Sequence, residues 1–96
     1  MTWIKTIPPD QAVGHLKACY EFVYGLYPPE YVVEAPAVRR PDGTADRIVP
    51  AHSLIPEALR HAMATFGVLM APDLPLTRRQ QEMIATVVSV LNRCFY

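Results

Sequence analysis

Ten prolines in 96 residues decide where regular structure can run, because each fixes φ and removes a backbone donor. Pro8-Pro9 holds the residues before it extended, so residues 1–9 read as an arm and Asp10 as the N-cap of a first helix. That helix is predicted over residues 11–24. Its apolar stripe is Val13, Leu16, Tyr20 and Val23 at three-and-four spacing, with Cys19 beside it; Gly14 weakens the pattern slightly. From residue 25 to 47 the punctuation is dense. Pro28-Pro29, Pro36 and the turn signal Pro41-Asp42-Gly43 predict a long surface loop, either wrapping a partner subunit or containing a short helix near residues 30–33.

Further on, a short helix is expected over residues 48–54, and a second main helix from Pro56 to about residue 69. Proline at a first helical position loses no hydrogen bond. Leu59, Met63, Phe66 and Met70 form the expected inner face, and Ala71-Pro72-Asp73-Leu74-Pro75 stops the helix. Thr77-Arg78-Arg79-Gln80 then matches a capping box and opens a third helix. On it Met83, Val87, Val90, Leu91 and Cys94 share one side, while Arg78, Glu82, Ser89 and Arg93 share another. No strand pair competes, so the expectation is an all-α single domain over residues 1–96, with three main helices and a proline-rich connection.

Composition narrows the classes of function. The formal net charge is zero and no Lys/Arg run occurs, so neither a nucleic acid nor an acidic membrane is an expected partner. Apolar stretches are broken well before the roughly 20 residues of a membrane span, and the first residues lead into no signal-peptide core; a cytoplasmic location is the expectation. Half of the residues are apolar, yet a chain this short buries only about 60–65% of its unfolded surface. The surplus implies surface meant for other copies or for a further segment. Two cysteines are too few for a disulfide scaffold.

The stretch Leu76-Thr77-Arg78-Arg79-Gln80-Gln81-Glu82-Met83-Ile84-Ala85-Thr86-Val87-Val88-Ser89-Val90-Leu91-Asn92-Arg93-Cys94-Phe95-Tyr96 resembles the signature helix of the alkylhydroperoxidase D and carboxymuconolactone decarboxylase family. There a Glu precedes a Cys-x-x-Cys-x-x-x-His motif by twelve residues, the spacing of Glu82 and Cys94. The segment His52-Ser53-Leu54-Ile55-Pro56-Glu57-Ala58-Leu59 and the Trp3-Ile4 arm resemble the peroxidase-related enzymes of that family. The resemblance covers nearly the whole chain, which has about half the length of a typical member.

It implies a helical alkylhydroperoxidase D-like fold, of which these residues are the N-terminal half, completed by a partner chain or a C-terminal half. A hydroperoxide substrate, a dithiol reductant and a homo-oligomer are implied, with no cofactor. Glu82 carries over as part of a proton relay, and Cys94 as the thiol that resolves an oxidised nucleophile. The second Cys and the His of the motif do not occur here, so the 96 residues alone are expected to be inactive. Tyr96 gets no role. Two alternatives stand beside the peroxidase: a non-catalytic helical oligomerisation module or relic of the family, and lactone decarboxylation. The lactone decarboxylase relatives lack the cysteine pair, so Asn92-Arg93-Cys94 favours the thiol branch.

Spacing places a physical limit on the pair. Twelve residues of helix separate Glu82 from Cys94 by about 18 Å along the axis and about 120° around it, so they cannot touch within one helix. A turn near Asn92-Arg93 followed by a returning helix would bring the family's His back by roughly 10 Å. Glu82 also has a plain role, as an acid in a first helical turn that complements the dipole. Cys19 reads as a small buried hydrophobe, with pairing to Cys94 left open. His15, His52 and His61 are not spaced as a metal set with either cysteine, and no metal site is expected. Arg39-Arg40 reads either as an anion grip or as a solvated pair.

Overall fold

The computed structural model describes residues 3–32 and 48–94, and among them every regular element is helical. A 3₁₀ turn at Pro9–Gln11 leads to α1 (Gly14–Gly25) and a second 3₁₀ turn at Pro29–Val32; then come α2 (Ile48–Ala51), α3 (Pro56–Leu69) and α4 (Arg78–Leu91). The all-α expectation therefore holds for the described residues, as do three main helices. Pro36, Pro41-Asp42-Gly43 and Arg39-Arg40 lie outside them.

The entry to α1 differs from the prediction. Asp10 is not an N-cap but sits inside the 3₁₀ turn, which closes through Gln11 N–H to the Pro8 carbonyl and Ala12 N–H to that of Pro9. Ala12 and Val13 are then extended, and the helix starts at Gly14, whose φ of +55° is open to glycine without a Cβ penalty. Val13 becomes the N-cap, without a side-chain hydrogen bond. Its side chain is consequently off the predicted stripe and 78% exposed.

Below that turn the periodicity holds. Leu16, Cys19, Tyr20 and Val23 are buried, and with Ala12, Val49 from α2 and Leu59 from α3 they form the core, against which Ile7, Tyr24, Tyr27 and Met63 pack. Ser53 is the polar residue buried with them; its Oγ accepts from the Ile7 N–H at 2.8 Å, and the Ile7 carbonyl accepts from the Tyr20 hydroxyl at 2.6 Å. Those bonds seat the N-terminal arm and satisfy groups that would be costly to bury unpaired. α1 and α3 approach closely near Gly67. A Cβ there would lie 2.9 Å from that of Leu26, so the contact depends on the missing side chain.

A run of aromatic rings continues the core outward. Tyr20 stacks near Tyr24 (6.0 Å between centroids), Tyr24 meets Tyr27 edge-on (5.5 Å), and Tyr27 meets both Phe66 of α3 (5.6 Å) and Tyr31 of the second 3₁₀ turn (6.4 Å). Tyr31 in turn stacks on Phe66 at 6.3 Å. Such pairs add to area burial through ring quadrupoles. They fix Tyr31 over the C-terminal half of α3.

α4 begins with the predicted capping box: Thr77 Oγ1 accepts from the Gln80 N–H, and Gln80 Oε1 accepts from the Thr77 N–H. What it presents to the body was not foreseen. Met83, Val87, Val90 and Leu91, which share the predicted apolar side, are all more than half exposed, Leu91 reaching 76%, and the one buried residue of the helix is Gln81. The physical reason lies in the end of α3, whose last carbonyls need donors. Gln81 Nε2 donates to the Leu69 carbonyl at 3.0 Å, and Arg78 Nη2 to that of Met70 at 2.9 Å. Arg78 Nη1 also donates to Gln81 Oε1 at 2.8 Å. Hydrogen bonding by the polar side sets the roll of α4, and the apolar side is left facing out.

Candidate functional site

Glu82 lies one turn beyond Arg78, on the side of α4 that meets the body. It is half-buried, and its Oε1 accepts a 2.6 Å hydrogen bond from the Tyr31 hydroxyl. Arg78 Nε stands 4.0 Å from Glu30 Oε1, so two carboxylates, one guanidinium and one phenol occupy the junction of α3, α4 and the second 3₁₀ turn. Burial, then the hydrogen bond to Glu82 and that carboxylate's charge, push the Tyr31 pKa up to about 12, against a smaller lowering by Arg78. A phenol so held stays neutral at neutral pH and keeps its proton to donate.

Cys94 is placed differently from the prediction. It is not on the apolar side of α4 but beyond the helix, exposed and with a free thiol. Arg93 adopts φ +53°, its N–H bonds to the Val90 carbonyl at 3.0 Å, and the Cys94 N–H bonds to that of Ser89 at 2.9 Å. These are the paired bonds of a Schellman motif, so the chain does turn at Asn92-Arg93. Glu82 lies in the second turn of α4, not in its first as expected, and Cys94 lies beyond the helix C-terminus; the nine helical steps from Glu82 to Leu91 alone rise about 13.5 Å, so α4 itself does not bring the two together.

A second constellation joins α1 to α3. His15 and Cys19, one helical turn apart, put Nε2 and Sγ 3.7 Å from each other. Glu57, in the first turn of α3, places Oε1 2.6 Å from the same His15 nitrogen and Oε2 3.2 Å from His61 Nε2. Since a carboxylate only accepts, the imidazoles donate. The His15 hydrogen bond, ahead of other influences, lowers the Glu57 pKa. Cys19 is buried as predicted, at 2% exposure, but against an imidazole rather than only among apolar neighbours. Spacing alone does not make a metal set of the histidines with either cysteine; the fold nevertheless puts His15 beside Cys19, four residues on, and brings Glu57 to them through the packing of α3 on α1. His52 is engaged locally, its Nδ1 lying 2.8 Å from the Ile48 carbonyl.

No helix of the described residues is long and apolar enough to cross a membrane. Compared with known proteins, the chain matches no family model, no curated protein and no solved structure.

Proposed function

We propose that this chain serves in thiol-dependent reduction of hydroperoxides, with Cys94 as a redox thiol and Glu82 as a proton relay, within an alkylhydroperoxidase D-like fold. The observation that carries the reading is the anchored carboxylate: on a helix whose apolar side is open to solvent, Glu82 is drawn inward and held at 2.6 Å by Tyr31. A carboxylate kept in one orientation by a neutral phenol is suited to accept and return a proton. The exposed thiol beyond the α4 turn is the second support, because a peroxide and a reductant must both reach it.

The chemistry balances with the groups named. A thiolate attacks the distal peroxide oxygen, the O–O bond breaks, the alkoxide leaves with a proton as an alcohol, and the sulfur becomes a sulfenic acid. Where the attacking thiol is the second cysteine of the family's motif, Cys94 condenses with it, forming a disulfide and releasing water. Where Cys94 is itself oxidised, a dithiol supplies both electrons, becoming a cyclic disulfide as water leaves. The test is consumption of an organic hydroperoxide coupled to dithiothreitol oxidation. Cys94→Ser should abolish the protein-dependent rate, and Glu82→Gln should lower it by roughly 10²-fold, as for loss of a general acid–base group. The two-cysteine route is expected to be inactive in these 96 residues, so the rate measured is that of Cys94 itself oxidised and re-reduced by the dithiol; native protein no faster than Cys94→Ser would end the proposal.

A second reading, a helical association module, is favoured by one observation. Met83, Ile84, Val87, Val88, Val90 and Leu91 are each at least half exposed, a face of the kind that marks contact with another chain. Sedimentation as a monomer at all concentrations tested would remove it.

A further inference from the structure

We propose that His15, Cys19 and Glu57 form a binding site for a zinc-class transition-metal ion, independent of the thiol chemistry assigned to Cys94. Three kinds of donor atom converge there from two helices: an imidazole nitrogen, a sulfur and a carboxylate oxygen, all within 4.8 Å of one another.

The distances are close to those of a tetrahedral shell. With metal–nitrogen and metal–oxygen bonds near 2.0–2.1 Å and metal–sulfur near 2.3 Å, the shell's nitrogen–sulfur edge is about 3.6 Å and its nitrogen–oxygen edge about 3.3 Å. The His15 Nε2 to Cys19 Sγ distance is 3.7 Å, and Nε2 to Glu57 Oε1 is 2.6 Å. The nitrogen–sulfur edge is therefore already set by the α1 turn. The nitrogen–oxygen pair has to open from a hydrogen bond to a ligand edge, and the sulfur and oxygen, within 4.8 Å of each other, have to settle at an edge of about 3.6 Å. In the metal-free arrangement a single N–H faces both an oxygen and a sulfur. A cation in place of that proton satisfies all three.

Charge and access agree with this. A dication, a thiolate and a carboxylate sum to zero, which suits a site whose sulfur is 2% exposed, because a buried net charge is strongly disfavoured. On binding, the Cys19 thiol and the His15 Nε2 each give up a proton; His15 takes its tautomeric proton on Nδ1, so one proton in total goes to solvent. His15 and Glu57 have side-chain exposures of 60% and 55%, leaving an entry path. Arg60, three residues after Glu57, lays its guanidinium over the Phe22 ring at 4.9 Å. His61, 3.2 Å from the other oxygen, Oε2, orients the carboxylate as supporting groups do in metal sites, and a water takes the fourth position. A mixed nitrogen–sulfur–oxygen set selects zinc over magnesium or calcium, which require oxygen ligands.

The experiment titrates the whole purified chain with zinc, magnesium and cobalt salts, reading heat of binding, the thermal midpoint and the cobalt absorption spectrum. One zinc per chain is expected, a raised midpoint, no response to magnesium, and a thiolate-to-cobalt charge-transfer band that persists in Cys94→Ser and disappears in Cys19→Ser. Because Cys19 is in the core, His15→Ala and Glu57→Gln at exposed positions provide variants that keep the fold, checked by far-ultraviolet circular dichroism; each should weaken zinc binding at least tenfold. His61→Ala should weaken it tenfold or less. Unchanged affinity in both His15→Ala and Glu57→Gln overturns the site, and so does a cobalt band that follows Cys94 instead of Cys19.

Discussion

α1 and α3 meet through Leu16, Cys19, Tyr20, Val23 and Leu59, whereas α4 meets the same body through Arg78, Gln81 and Glu82. Both contacts use amphipathic helices, and they use opposite sides of them. In the first, removal of apolar surface from water sets which way each helix is rolled. In the second, unsatisfied carbonyls at the end of α3 and a phenol from the second 3₁₀ turn set it. An amphipathic pattern thus says which side of a helix is apolar; it does not say that the nearest neighbour covers it.

The sharpest way to break this contrast is truncation on each side of it. Leu59→Ala is expected to lose about 2–5 kcal/mol, the usual result of deleting a fully buried leucine, while Leu91→Ala should stay within about 0.5 kcal/mol of the parent in dilute solution. Urea unfolding measures both, and equal losses would mean that the α4 face is covered in solution. Next in size is Arg78→Ala. Losing a charged donor to the Met70 carbonyl and to Gln81 should cost about 1.5–3 kcal/mol locally; hydrogen exchange should then speed up across α4 and leave α1 unchanged. Thr77→Ala removes one half of the capping box and should cost about 1 kcal/mol, again confined to α4.

The smallest effect concerns the tyrosine that joins the two regions. A folded-state pKa raised to about 12 stabilises the neutral phenol below the ordinary value near 10, and that contribution disappears as pH rises through 12. Alkaline absorbance titration should show tyrosine ionisation continuing well above pH 10, and Tyr31→Phe should remove one tyrosine from that late part. A titration in which all tyrosines ionise together near pH 10 would show the bond to Glu82 to be absent in solution.

Much of the fold could be read from residue order because its signals are local. Pro56 at a first helical position and the Thr77–Gln80 box involve residues no more than a few positions apart and open α3 and α4 where predicted, and Leu16, Tyr20 and Val23 of the first stripe are buried, although Val13 is not and α1 starts at Gly14. Asp10 failed as a cap because two prolines drew it into a 3₁₀ turn of its own. The roll of α4 was hidden for another reason: it is decided by bonds to Leu69, Met70 and Tyr31, which no periodicity encodes. The same holds for the candidate sites. Glu82 and Cys94 were found through motif spacing, but the Tyr31 partner lies 51 residues away. The pairing of Cys19 and His15 with Glu57 spans 42 residues and needed α1 and α3 to be docked first.

The arm that Ser53 and Tyr20 fasten to the core carries Trp3, which is 94% exposed and the sole tryptophan of the chain. An indole already surrounded by water reports almost nothing when the protein denatures. Its fluorescence should keep a long-wavelength maximum throughout, and the near-ultraviolet circular dichroism of Tyr20, Tyr24, Tyr27 and Tyr31 becomes the optical signal that follows loss of the packed state.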